Sequence, residues 1–306
     1  MKFNAVRLFA IVNVLIVGYL FYELYQMKQP PSPKAVPVSQ PPSGELEVDV
    51  NQLVAESIDT EIPSGERLLA LRKIPASELS ETQIARIIEV IFSDNSNDPV
   101  LETLELRSQA GGILLRSKVE PESLINRCSS IALDQDKALP LRNQSLILLY
   151  QLFGQSNETN SAIKQVFDRV RAELFTDRSS SLAATVIEGD AYLLERQSSL
   201  VNREVMQERV LRGLRDLRSS EAVQLMALQV AAKHGIVSVR EDAEAMAQAH
   251  ESQALTLAAL NAAAALGSPK SFFESIAYED SNLELARLKA IGVASVEAEQ
   301  TRVSTQ

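Results

Sequence analysis

The chain has 306 residues, 45% of them hydrophobic, which leaves room for one extended domain or two compact ones once the terminal segments are set aside. Aromatics make up 5% and tryptophan is absent, so alanine and leucine carry the apolar load, a balance that favours closely packed helices over sheets. A formal net charge of −10 excludes nucleic acid as a generic ligand, because neutralising phosphates needs a basic surface, and argues against a domain lying on anionic lipid.

The first element is Leu8–Tyr22, LFAIVNVLIVGYLFY, the one long apolar run. Leu8 to Tyr25 is 18 residues, roughly 27 Å of helix, close to the hydrocarbon thickness of a bilayer. Residues 1–28 are therefore predicted to hold a single transmembrane helix, with Leu8, Ile11, Val14, Leu15, Ile16, Val17, Leu20 and Phe21 as the membrane anchor. Tyr19, Tyr22 and Tyr25 gather at one end as interfacial aromatics do, and Glu23 can snorkel to the headgroups. A cleaved secretory signal is the rival reading, since Lys2 and Arg7 form a fair n-region. No small-x-small cleavage site precedes the prolines, so an uncleaved anchor is expected. Lys2, Arg7 and the terminal amine outweigh Lys28 and Lys34, which by the positive-inside rule puts the N-terminus in the cytoplasm. In a bacterial cell that orientation places the anchor in the inner membrane and the rest of the chain in the periplasm.

Residues 29–62 read as a linker. Gln29–Gly44 contains six prolines and almost nothing to bury, a semi-rigid polyproline-type spacer. Glu45–Glu61 carries six acidic residues and no basic one, with enough apolar positions for one short helix beginning after Asp49.

From Pro63 to Ala294 apolar residues recur at helical spacing, broken every 12 to 18 residues by Pro, Ser, Asn or Gly. Helices are predicted near 65–74, 79–92, 99–117, 121–133, 140–153, 160–175, 181–195, 202–217, 220–234, 239–249, 252–266, 269–277 and 282–291. Ser80-x-x-Gln83, Ser238-x-x-Glu241 and Ser281-x-x-Glu284 fit capping boxes. Pro99, Pro121, Pro140 and Pro269 sit where a first-turn proline costs least, and Gly235 and Gly267 sit just past helices. No run alternates with period two, so no sheet is expected. The polar tail, 295–306, is expected to be disordered.

Lining up every second helix brings out a repeat. Segments beginning at Leu104, Leu139, Ser180, Ser220, Ser252 and Asn282 share a pattern of leucine and small residues at uneven intervals of about 30 to 41 residues, the length of a two-helix unit. Such units cannot bury their apolar faces alone and stack into one continuous core. Leu106-Arg107…Ala110…Leu114-Leu115, Leu141-Arg142…Leu146…Leu149, and the Ala-rich helices ending in Lys233-His234-Gly235 and Ala265-Leu266-Gly267 resemble the HEAT family of α-solenoid repeats. Tetratricopeptide repeats are the nearest alternative, but their fixed period of about 34 residues and their Trp, Gly, Tyr and Pro positions are not visible. The resemblance covers roughly Pro63 to Ala294 and implies a HEAT-like all-α fold, a scaffold that binds proteins through one face, with no catalytic residue.

Motifs for chemistry are sparse. His234 and His250 are the only histidines, neither with a second ligand at metal spacing, so structural roles are expected. Ser161-Ala-Ile-Lys164 matches S-x-x-K, but Ser161 opens a helix and no partner motif follows, so capping is the better account. Cys128 falls in step with Leu124, Ile125, Ile131 and Ala132 and reads as a small buried hydrophobe. Asn143 and Asn157 open glycosylation sequons that matter only in a eukaryotic secretory pathway.

One surface stands out. Val210, Leu211, Leu214 and Leu217 fall on one helical face, with Arg209, Arg212, Arg215 and Arg218 projecting from the other. Together with Lys164, Arg169 and Arg171 these form a candidate partner-binding strip, against the plainer reading of an ordinary solvated face with Glu208–Arg212 and Arg212–Asp216 pairs. The sequence thus predicts a membrane-anchored, non-catalytic scaffold or adaptor for protein partners in the cell envelope, with no cofactor, metal or small-molecule ligand. The alternatives are an envelope enzyme with an unrecognised site and a chaperone-like binder of unfolded chains.

Overall fold

A computed structural model of the chain describes residues 49–92, 100–117, 121–155, 161–196 and 198–304. The predicted anchor, from Leu8 to Phe21, and the proline-rich segment lie outside the described residues, as do Pro99 and Asn157. Among the described residues no helix is long and apolar enough to cross a membrane.

The described chain is all-α, with no strand. In order, the helices are α1 (Val50–Ile58), α2 (Ser64–Lys73), α3 (Glu81–Phe92), α4 (Val100–Arg116), α5 (Pro121–Leu133), α6 (Leu139–Gln155) and α7 (Ser161–Thr176). There follow α8 (Ser181–Glu195), α9 (Arg203–Arg215), α10 (Glu221–His234), α11 (Arg240–Ala249), α12 (Gln253–Ala265), α13 (Lys270–Glu274) and α14 (Ser281–Ser304). Short 3-10 turns occupy Ala76–Glu78 and Val237–Val239.

These helices pack in two rows. Each odd-numbered helix packs on the even-numbered helix that follows it, and each even helix from α2 to α12 packs on the next even one. The core lies between the rows and between successive even helices. α8 is therefore enclosed on several sides, with Leu182–Ile187 and Gly189–Leu193 all buried, and α12 buries Leu255, Thr256, Ala259, Leu260 and Ala262–Ala264. The six segments that line up in the sequence are α4, α6, α8, α10, α12 and α14, consecutive members of the even row. Small side chains let these helices approach closely: a Cβ on Gly189 would lie 2.4 Å from the Tyr150 ring, and one on Gly154 2.5 Å from the Tyr192 ring.

Several helix starts are fixed by side-chain chemistry. Ser80 and Gln83 form the capping box, Ser80 N–H donating to Gln83 Oε1 at 2.7 Å and Gln83 N–H to Ser80 Oγ at 3.4 Å. Asn202, Ser220 and Ser252 cap α9, α10 and α12. Gly235 (φ 62°) and Gly267 (φ 77°) adopt the left-handed conformation predicted for them just past helix ends.

Four expectations are corrected. The packed unit begins at Asp49 and not at Pro63, because α1 packs on α2 and α3: Val54 and Ser57 are fully buried, and the buried Arg67 donates to the Ser57 carbonyl at 3.2 Å. Ser238 does not cap α11, because Val237–Val239 winds into a 3-10 turn and the helix starts at Arg240. At α14 the cap is Asp280, whose carboxylate accepts from Asn282 N–H (2.8 Å) and Leu283 N–H (3.1 Å), one residue ahead of Ser281. The segment expected to be a disordered tail from 295 continues α14 to Ser304, since Val296–Ser304 is rich in strong helix formers and contains neither glycine nor proline.

Candidate partner-binding surface

The four arginines of the candidate strip do not share one environment. α9 ends at Arg215, so Arg218 lies in the following loop, and Leu217 is fully exposed there. Val210 and Leu214 are buried, as their spacing predicts. Arg212, Arg215 and Arg218 reach solvent with side chains 61%, 58% and 79% exposed. Each is paired: Arg212 with Glu208 (2.5 Å), Arg215 with Asp242 of α11 (2.9 Å) and Arg218 with Asp216 (3.0 Å). The pair with Glu208 is the i, i+4 contact expected from sequence. Asp216 instead joins Arg218 to Arg178, and the hydrogen bonds from these two guanidinium groups hold its carboxyl well below the usual carboxylate range.

Arg209 turns inward. Its Nη1 donates to Asp190 Oδ2, and its guanidinium lies over the Phe175 ring at 5.7 Å. Asp190 is completely buried in α8 and also accepts from Arg171 Nη1 (2.9 Å) and from the Tyr150 hydroxyl (3.0 Å). Arg171, itself buried, bonds Asp168 and the Leu200 carbonyl and stacks over Phe167 at 4.7 Å. One carboxylate therefore ties α6, α7, α8 and α9 together. Burial and the adjoining Asp190 charge raise the Tyr150 phenol well above its ordinary range. Of the neighbouring cations on α7, Lys164 and Arg169 are exposed, Arg169 paired with Glu173 at 2.6 Å, while Arg171 belongs to the interior.

The exposed part of the strip is thus Arg212, Arg215 and Arg218, with three carboxylates, Glu208, Asp242 and Asp216, that a competing acidic partner would have to displace. The buried Asp190 and the half-buried Glu188 are the residues that patterning overlooks. Glu188 loses hydration in α8, which pushes its carboxyl up to about 8 despite the opposing charge of Lys233. The sequence signal for both is an acid inside the otherwise apolar stretch SLAATVIEGDAYLL.

The remaining chemical candidates take structural positions. Cys128 is fully buried, and desolvation pushes its thiol up to about 12, out of reach of nucleophilic chemistry at neutral pH. His234 ends α10, its carbonyl accepting from Arg203 Nη2 at 2.7 Å, and its ring lies 3.2 Å from Glu195. His250 holds a left-handed turn (φ 55°) after α11 and packs edge-on against Tyr278, whose hydroxyl donates to the Ala247 carbonyl at 2.9 Å. Ser161 and Lys164 lie exposed in the first turns of α7. Among the described residues no group of three or more His, Cys, Asp and Glu side chains converges on a metal site. Compared with protein-family models, with curated proteins and with solved structures, the chain matches none.

Proposed function

We propose that the protein is a membrane-anchored, non-catalytic scaffold or adaptor, whose HEAT-like α-solenoid offers a long helical surface to protein partners in the cell envelope. The observation that supports this most is the unbroken even row from α2 to α14, on which the six aligned repeat segments fall. A row of that kind supplies contact area along its whole length without needing a cleft. The apolar run from Leu8 supplies the attachment, and concentrates the domain near membrane-bound clients.

Within this reading Arg212, Arg215 and Arg218 are the contact point for an acidic partner segment, because they are exposed and their present carboxylate partners are within reach of solvent. In-cell crosslinking of the full chain should capture a reproducible envelope protein. Arg212→Glu, Arg215→Glu and Arg218→Glu together should lose it while leaving the unfolding curve close to wild type. The matching glutamine triple variant separates loss of charge from repulsion by Asp216 and Asp242. An unchanged capture profile in both variants removes the strip from the reading. Hydrolytic activity in purified protein with no partner recovered removes the scaffold. A C-terminal alkaline phosphatase fusion should be active if the domain is periplasmic, and an inactive fusion overturns that location.

A further inference from the structure

The two rows of helices differ in charge. α7 and α9 carry charged side chains throughout. α12 has none, α10 has none between Glu221 and Lys233, and α6 has only Arg142, whose Nε donates to the Ala132 carbonyl of α5 at 3.0 Å. α8 adds Glu188, the inward-facing Asp190 and, at its last residue, Glu195. Ile147, Glu188, Gln229 and Asn261 lie on the sides of α6, α8, α10 and α12 that are not buried. Two contacts show that these sides adjoin. Thr185, one turn before Glu188, donates from Oγ1 to Asn143 Oδ1 of α6 at 2.6 Å, and Glu195, two turns after it, pairs with Lys233 of α10 at 2.6 Å. On a chain of net charge −10, a solvent-facing band this poor in charge resembles the centre of a protein interface, where charged residues are depleted.

Glu188 stands within that band, half-buried. Among the described residues no hydrogen bond or ion pair reaches its carboxyl, and the one nearby cation, Lys233, is engaged with Glu195. The lost hydration that pushes this carboxyl up to about 8 marks a group short of donors, which a cation brought by another molecule would supply.

We propose that the face of α6, α8, α10 and α12 receives an otherwise uncharged segment of a partner protein, and that Glu188 pairs with the one lysine or arginine this segment carries. The site deepens the scaffold reading and rests on it, but it is separate from the arginines of α9 and the loop after it. Four helices about 10 Å apart span roughly 30 Å, enough for about nine extended residues. Free Glu188 holds a proton at neutral pH. The arriving cation displaces that proton to solvent, so binding tightens as pH rises toward 8. The charges around it are Lys233 and Glu195, paired with each other, and His234 beside Glu195; Arg171 and Arg209 meet Asp190 on the opposite side of α8.

The test uses the full chain in cells, with the photocrosslinker p-benzoylphenylalanine in place of the exposed Gln229 or Asn261. Mass spectrometry of the adduct should map a segment of a second protein that carries a lysine or arginine. Glu188→Gln should cut capture at least about tenfold, and Glu188→Lys should abolish it. Replacing the mapped basic residue by glutamate should restore capture by the Glu188→Lys chain. With the purified pair, affinity should rise at least about tenfold from pH 6 to pH 8, and Glu188→Gln should remove that rise while His234 titrates in both. A segment with no basic residue, a segment of this chain itself, capture indifferent to Glu188→Gln, or no adduct from either position each overturns the assignment. A partner still captured through Arg212, Arg215 and Arg218 would then leave the scaffold standing without this site.

Discussion

Asp190 is surrounded by donors, and its removal would take the shared acceptor from two guanidinium groups, leaving Arg171 with Asp168 and the Leu200 carbonyl. Breaking a buried pair on one side costs about 3–5 kcal/mol, well beyond what an exposed pair contributes. Asp190→Ala should therefore lower the stability measured by urea unfolding at neutral pH by about that amount. A loss under about 1 kcal/mol would mean that the arginines find other acceptors or water. Glu188 makes a prediction of opposite character. Unfolded, it titrates near 4.5; folded, near 8. Between those values the native state holds a proton that the unfolded chain has released, so stability falls as pH rises through that window. The half-buried carboxyl keeps some access to water, and the expected loss is on the order of 2 kcal/mol across the window. Glu188→Gln should flatten the profile, and an unaltered slope would show that burial leaves this carboxyl ordinary. Patterning assigned Arg209 to the solvent side because an arginine on a helix face carries no mark of its partner, and that partner lies on another helix in α8. The informative residue was the acid in the apolar run, since a charge that cannot reach water needs a counter-charge.

At the scale of elements, α6 and α8 are held at a distance that only glycine permits, the Tyr150 ring standing where a Cβ on Gly189 would be. Gly189→Ala should cost about 1–3 kcal/mol through displaced packing, even though alanine is the better helix former. Thermal unfolding would read this, and a neutral or stabilising result would show that the ring moves freely. Helix interiors were legible in the sequence because period and propensity agree there, as in α5 and α8, whose predicted and observed limits coincide. Ends were legible where the chemistry is local, as at Ser80 and Gln83. They were not where two residues compete to cap: Asp280 outranks Ser281 by offering a charged acceptor to two amides, and before α11 the turn at Val237–Val239 leaves Ser238 off the helix start. By sequence α1 looks like one helix of a linker because it is acidic and short, and its place in the packed unit depends on contacts with α2 and α3 that no local pattern announces.

For the whole molecule, α1 is the first helix of an array whose stability comes from neighbours. A chain beginning at Pro63 should be less stable than one beginning at Asp49, because Arg67 would lose its buried acceptor on Ser57, and α2 and α3 would lose the helix that packs on them. The expected deficit is about 2–4 kcal/mol by urea unfolding, and equal midpoints would return α1 to the linker. The repeat was visible at this scale because the even helices are the ones enclosed along the row, so their composition is the more constrained; the outer helices meet water and vary more freely. The shared carboxylate at Asp190 then gives the array an uneven grain. Stretched along its length, such a stack would not peel one pair at a time at equal force, because the three pairs that contribute α6, α7, α8 and α9 have to tear together. A tug delivered through the N-terminal end would spend itself on α1 to α5 first and then meet that block as its firmest hold.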